Sequence, residues 1–425
     1  MSVLLRPQTA NAPAKVKDTG LINLVKDGDA AYNAKSGELL LLPGGVLEHT
    51  RIKERLAARL FNDANLQRVD CGGDDAVFSL AERYVREWGD SALSYLDDRG
   101  REFRVLGWSK DTALAEVKTS EIMGAISHEL KQISDRAEFS FIEEALPGGR
   151  SFSLLSPCES GSIGARPGFI CKSCGRAALS DSPFEFRSEQ PAKDEDMENL
   201  QEIQTPGANT IAELCSQLGI DIRRTIKAML YVASDEEKAT GLRPIASFIR
   251  GDYNISLNKL SDWLRKNHRL SRLRSAEKQE LHDLFGEVAG YCGPVGLPEN
   301  VVVVCDNSVR DAKNAVVGAN HTGYHCTGCC YGRDFTSDIT DIAQISQGSP
   351  CACGGSFEQT ALREAGVIQF GLDLYADANL EHKNKTLQSD KKLSYRDRDG
   401  FHEYPAVWGG FISTEKILLE IGRLR

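Results

Sequence analysis

Residues 205–220, TPGANTIAELCSQLGI, and residues 225–233, TIKAMLYVA, decide how this chain is read. In the first, Thr210 and Glu213 stand three apart at the head of an apolar pattern. That is the spacing of a capping box, in which the two side chains satisfy otherwise orphaned N–H groups at a helix start. Ile211, Leu214 and Leu218 follow at helical spacing and give the helix one apolar face. Pro206-Gly207 ahead of it is a turn that opens a new unit. The second stretch has strand composition, as do 244–250 and 300–306, with helical or turn-rich text between them. This alternation predicts a mixed α/β (α+β) unit over residues 206–340.

The flanks differ in character. Residues 181–205 (DSPFEFRSEQPAKDEDMENLQEIQT) are acidic and poor in aliphatic side chains, the composition of a linker. Upstream, a short apolar run at 39–42 stops at Pro43-Gly44-Gly45. A helical pattern follows with Ile52, Leu56 and Leu60 on one face, and 95–106 reads as a hairpin turning at Asp98-Arg99-Gly100. Downstream, 366–375 reads as a strand and 414–424 as a closing helix. The chain is therefore expected to have a flexible N-terminus (1–20) and a body in two parts (21–180 and 341–425). The acidic linker (181–205) and the unit at 206–340 interrupt that body.

At 425 residues the chain exceeds one ordinary domain, and 41% hydrophobic with 26% charged residues excludes disordered and fibrous classes. The net charge of −10, from 51 basic against 61 acidic residues, excludes a uniformly basic nucleic-acid coat. A local patch is still possible. Residues 265–274 carry Arg265, Lys266, Arg269, Arg272 and Arg274, which suit either a solvated helix face or contact with an RNA backbone. No apolar run approaches the ~18–20 residues of a membrane span, and the start lacks the apolar stretch of a secretory signal. A cytoplasmic protein with no membrane partner is expected.

Among the 12 cysteines, Cys171-x2-Cys174 and Cys351-x-Cys353-Gly-Gly flank the middle unit. In a reducing compartment, close pairs read as metal ligands before disulfides, and two pairs make the four-ligand set of a structural zinc site. Such a site would clamp both ends of the insertion. Two pairs of unrelated buried thiols are the alternative. Cys326-x2-Cys329-Cys330, with His321 or His325, is a competing cluster.

Several segments, in order, resemble the YbaK-type editing domain inserted in bacterial prolyl-tRNA synthetases. They are 205–220, 225–233, FIRGDYNISLNKL at 248–260, GYCGPVGLPENVVVVCDNSV at 290–309, KNAVVGANHTGYH at 313–325 and YGRDF at 331–335. The flanks extend the likeness more weakly. Residues 38–60 resemble the first motif of a class II synthetase, 97–111 the strand pair after it, and 160–164 and 349–366 the borders of the insertion. The resemblance implies an antiparallel class II body interrupted by an editing domain, with homodimerisation through the body.

The family's editing parts have counterparts here. The resemblance places Lys227 where the family's key lysine stands and Gly293 and Gly296 in its glycine–proline loop. It places Asn320 and His325 at the strand and turn that close the pocket. The implied chemistry is deacylation of an aminoacyl ester. The lysine would hold the acceptor end as a point charge, loop N–H groups would stabilise the oxyanion, and no serine or cysteine nucleophile would be needed. Asn320, Arg265, Lys266 and Arg269 are then candidate contacts to a tRNA acceptor end. Taken alone, Lys227 on an alternating strand is also what an outward solvated lysine looks like, and 293–298 reads equally as a plain turn between elements.

The synthetase motifs depart from the pattern. DRAE at 135–138 and GRSF at 149–152 stand as remnants of the second motif, with Arg136 and Arg150 as candidate ATP ligands. The third motif's arginine has Lys416 as its nearest counterpart, and a lysine does not stack on adenine as arginine does. The amino-acid pocket reads Ser109-Lys110-Asp111, 166–169 RPGF and Val367 where the family has histidines, and no anticodon-binding domain is expected to follow. ATP and Mg²⁺ are thus left open. Three functions fit: a deacylase that hydrolyses mischarged tRNA, such as alanine on proline tRNA; an ATP-dependent ligase forming an aminoacyl adenylate; or a non-catalytic tRNA-binding or regulatory paralogue.

Overall fold

The computed structural model describes residues 18–33, 38–63, 66–68, 91–96, 102–136, 138–146, 149–185, 196–235, 241–285, 290–371, 394–396, 401–403 and 406–424. The hairpin turn expected at 98–100, residues 372–375 of the expected strand, and residues 1–17 of the expected flexible terminus lie outside them. Residues 18–20 do not behave as a loose end. Asp18 caps the helix Thr19–Lys26, accepting the Leu21 N–H, and is fully buried.

The body is built on a nine-stranded sheet. Its main path runs Gln67–Arg68, Ser91–Leu96, Glu102–Ser109, Ala406–Ser413, Phe357–Gly371, Gly149–Cys158 and Ser140–Leu146. Every step is antiparallel except the first, which is parallel. The 15-residue strand Phe357–Gly371 is its spine. Gly149–Cys158 lines one side of it, while Ala165–Cys171 and then Ala406–Ser413 line the other. Strands from before and after the insertion therefore interleave, so neither part of the body completes a sheet alone.

The helices Thr19–Lys26, Pro43–Ala58, Thr112–Ile133 and Thr414–Arg423 bury their apolar stripes in one core with Phe103 and Ile412 of that sheet. Ile52, Leu56 and Leu60, the face expected from sequence, are all fully buried there. Each such side chain contributes about 1.5–3 kcal/mol.

The inserted unit has two sheets. The larger, in the order Leu270–Ser275, Ile226–Asp235, Leu242–Arg250, Val302–Asp306, Asp338–Thr340, is antiparallel over its first three strands and parallel over its last two steps. The smaller joins Gln201–Gln204, Tyr324–Cys329 and Ala315–Gly318. A bridge between Thr225 and Val316 links the two, and Phe248, Cys305, Val317 and Cys329 pack in the core of this unit. The mixed α/β architecture is as expected. The predicted capping box is present, with Thr210 and Glu213 bonded reciprocally at the head of the helix Ile211–Leu218.

The segment 181–205 is less of a linker than its composition suggests. Phe184 is buried against Tyr253, its N–H donates to Asp341, and residues 201–204 form a strand of the smaller sheet. Residues 186–195, with three of the segment's eight acidic side chains, lie outside the described residues. Around this crossing the helix Leu257–His268 presents Lys259, whose buried ammonium donates to both Asp341 oxygens at 3.0 Å and to the Ala343 carbonyl at 2.7 Å.

Candidate functional site

A cavity of about 380 Å³ opens where the two sheets of the inserted unit meet. Lys227 and Met229 reach it from the strand Ile226–Asp235, two residues apart and so on one face. Thr210 and Leu214 reach it from the capped helix, and Cys292, Gly318 and His325 close the far wall.

Lys227 is half-buried, with Nζ 3.3 Å from Asn254 Oδ1. Burial pulls its pKa below the ordinary lysine value, against the pull of Asp252. His325 is buried within the Tyr324–Cys329 strand, tilted against the Tyr291 ring at 5.3 Å. Its Nδ1 lies 2.7 Å from Thr205 Oγ1, and burial lowers its pKa, so the neutral ring is favoured. Thr205 is fully buried and anchored by its own N–H on the Gly323 carbonyl at 2.8 Å. Sequence reading passed over Thr205. Only its place at the head of residues 205–220 marks it in the sequence; the contact with a histidine 120 residues away is visible in the structure alone.

The glycine loop is held rather than free. Gly293 donates its N–H to Asn320 Oδ1 at 2.8 Å, and Asn320 Nδ2 donates to the Val295 carbonyl at 2.6 Å. Asn320 sits in the left-handed region, φ 59°, with both ends of its amide engaged by the loop. The structure therefore gives Asn320 a stapling position where a substrate contact was expected, and it satisfies the Gly293 donor internally. Gly296, at φ 78°, has open space around it. Neither Gly293 nor Gly296 lines the cavity; Gly290 and Gly318 do.

Cys292 shares the cavity wall, and burial pushes its thiol up to about 12. It stays protonated and is a poor nucleophile. The groups on offer are thus a cation, a neutral imidazole and backbone, a set suited to water-based ester chemistry.

The other expected contacts lie apart from this cavity. Arg265 and Lys266 are in the last turn of the helix Leu257–His268, Lys266 pairs with Asp262 at 2.7 Å, and Arg269 caps the helix end at φ 55°. In the body, Arg136 is exposed in the turn after Thr112–Ile133. Arg150 pairs with Glu116 at 2.5 Å and Glu143 at 3.5 Å, and lies 5.7 Å from each of the Phe152 and Phe370 rings. Lys416 Nζ lies over the Phe411 ring at 5.6 Å, and burial lowers its pKa, opposed by Glu364 and Glu102. Arg150 is registered opposite Phe370, whereas Lys416 neighbours Glu364, roughly 20 Å back along the same strand. The three candidate ATP ligands are not drawn together.

Cys171, Cys174, Cys351 and Cys353 do converge, as a cluster able to bind a metal, and among the described residues no second such cluster includes Cys326, Cys329 or Cys330.

Residues 205–329 match the aminoacyl-tRNA editing domain family. The matched region contains the cavity lining together with Lys227, Thr205 and His325. The chain is also similar to proline–tRNA ligases. It is 31% identical to that of Aquifex aeolicus (strain VF5) over 252 residues, 58% of this chain and 40% of the relative. It is 38% identical to that of Streptococcus mutans serotype c over 151 residues, 36% of this chain and 23% of the relative. The chain spans well under half the length of these relatives. The solved structure of hypothetical protein APE2540 is 20% identical, with a TM-score of 0.28, covering 34% of this chain and 91% of that one. No helix among the described residues is long and apolar enough to cross a membrane.

Proposed function

We propose that the editing domain hydrolyses the ester of mischarged tRNA, with a small amino acid such as alanine on proline tRNA as substrate. The observation that carries this reading is the convergence of Lys227 and His325 on one cavity inside the region matching the editing family. Lys227 meets the terminal ribose or phosphate as a point charge. His325, oriented by Thr205, holds a water with its remaining ring nitrogen. That water's oxygen attacks the ester carbonyl, the carbon–oxygen bond to the ribose breaks, and the ribose oxygen leaves with a proton, releasing free amino acid and tRNA. Backbone N–H groups near the cavity stabilise the developing oxyanion, an effect of about 2.7–4 kcal/mol per donor in well-measured sites. Arg265, Lys266 and Arg269 contact the tRNA backbone from outside the pocket.

In this reading the class II-like body docks the acceptor stem and pairs with a second copy, and the protein works in the cytoplasm with its tRNA. The ligase alternative rests on the names of the curated relatives; the internal pairing of Arg150 with Glu116 and Glu143 weighs against it. The deciding experiment is hydrolysis of alanine-charged proline tRNA by wild type and Lys227→Ala. A large loss in the variant is expected, and equal rates would remove the mechanism.

A further inference from the structure

Four cysteines meet where the chain leaves the body and where it returns. Cys171 ends the strand Ala165–Cys171, Cys174 lies in the turn after it, and Cys351 and Cys353 lie in the turn ahead of Phe357–Gly371. Cys171 is registered opposite Phe357, so strand pairing itself sets the two turns side by side. All four sulfurs lie within 4.8 Å of one another, with Cys171–Cys353 at 3.5 Å and Cys174–Cys351 at 3.7 Å. A zinc ion about 2.3 Å from each corner of a sulfur tetrahedron sets those corners about 3.8 Å apart. Disulfides make no such demand, since they need two sulfurs at about 2.05 Å and leave the distance between pairs unconstrained.

The turns are built around the sulfurs. Gly175 donates to the Cys171 carbonyl at 2.8 Å, Gly354 to the Cys351 carbonyl at 2.9 Å, and Cys351 to the Gly355 carbonyl at 2.7 Å. The Gly355 N–H reaches Cys353 Sγ at 3.4 Å. A Cβ on Gly355 would stand 2.9 Å from Cys171 Sγ and 2.3 Å from Ser173 Oγ, so the cradle admits no side chain there. Cys171 and Cys351 are buried while Cys174 and Cys353 are exposed, which gives a metal a way in.

We propose that these four thiolates hold one Zn²⁺ and that the ion locks the junction through which the editing domain leaves and rejoins the body. Four protein sulfurs leave no open coordination position, so the role is structural. Cys174 and Cys351 are 177 positions apart, and the whole editing domain lies within the span they close. The metal binds the folded junction and not the unfolded chain, so its binding free energy adds to folding stability. None of its ligands lines the cavity that holds Lys227 and His325, so this site stands or falls separately from the deacylase reading.

The test uses the full chain, purified with reductant and without chelator. Elemental analysis should give one zinc per chain. Cys174→Ser and Cys353→Ser, at exposed positions, should each lower zinc content at least tenfold and lower Tm. Replacement by Co²⁺ should give the intense visible absorption of a tetrahedral thiolate site. Denatured without reductant and with chelator, the protein should titrate as 12 thiols, the number in its sequence. Less than a tenth of an equivalent of zinc, stoichiometric iron, four missing thiols, or full zinc in both variants would each overturn the proposal. Should the serine variants fail to fold, mercurial titration of wild type decides the matter. Zinc release in step with four reacting thiols supports the site, and release out of step rejects it.

Discussion

Arg363 and Asp18, 345 positions apart and both fully buried, face each other through two hydrogen bonds of 3.1 Å. The pair ties the spine strand of the body to the N-terminal cap of its first helix. Glu420, also buried, stands 3.9 Å from the same guanidinium. Burial alone would raise the Asp18 pKa, but hydrogen bonding and charge from Arg363 overcome it, and the net direction is down. Asp18→Ala takes both of those bonds from the buried guanidinium, leaving Glu420 as its neighbouring carboxylate, and should cost about 3–5 kcal/mol, read by denaturant unfolding. Asp18→Asn keeps the cap acceptor and should fall between that variant and wild type.

The same pair sets an acid limb. Because the folded pKa of Asp18 is depressed, its contribution is fully present above the unfolded carboxylate value of about 3.9 and is lost as pH falls through the lower folded value. Wild type should lose stability more steeply than Asp18→Asn over that window. Identical slopes would show that another carboxylate governs acid unfolding.

His325 makes a pH prediction for turnover. Burial lowers its pKa beneath the usual 6.5, so the neutral ring persists at pH 7. Deacylation should be flat near neutrality and decline on acidification with a midpoint under 6.5, and His325→Ala should abolish that limb. Thr205→Val should slow the reaction about 10²-fold by freeing the ring orientation, with little change in Tm. A limb that survives in His325→Ala would assign the titration elsewhere.

Asn320→Gly keeps the left-handed backbone and deletes both loop bonds, whereas Asn320→Ala adds backbone strain. Losing the staple should cost about 1–3 kcal/mol of loop order. That should appear as a raised KM for charged tRNA in both variants, larger for alanine. Unchanged KM in both would show that the 293–296 loop plays no part in binding.

Arg150 is already neutralised by Glu116 and Glu143 and stands far from Lys416. ATP–pyrophosphate exchange across a panel of amino acids should stay at background. Exchange with any one of them would restore the ligase reading.

Periodicity made much of this molecule legible. Ile52, Leu56 and Leu60, the Thr210–Glu213 box and the strands around 225–250 all announce themselves locally, because capping and amphipathic spacing are short-range effects. The cysteine cluster was legible for a different reason, since paired thiols on glycine turns have few other uses. What spacing cannot carry is the partner of a polar side chain. Nothing in the text around Asn320 says that its amide turns back onto the Gly293 loop. Nor does anything near Thr205 say that it meets a histidine on a neighbouring strand. Pairing within the inserted unit decides such meetings, Gln201–Gln204 against Tyr324–Cys329 in the case of Thr205, and a linear reading does not contain it. The acidic composition of 181–205 likewise hid a strand, because pairing with Tyr324–Cys329 outweighs its weak intrinsic preference.

One close approach bears on anyone wishing to re-engineer this pocket. A Cβ on Gly293 would fall 1.8 Å from the Gly318 oxygen, and one on Gly318 would fall 2.2 Å from the Tyr291 oxygen. Two stretches of bare main chain therefore rest directly on each other along one wall. Mutant libraries meant to widen or narrow the amino-acid preference should hold both glycines constant and diversify Met229 and Leu214 instead, where side chains rather than backbone shape the lumen.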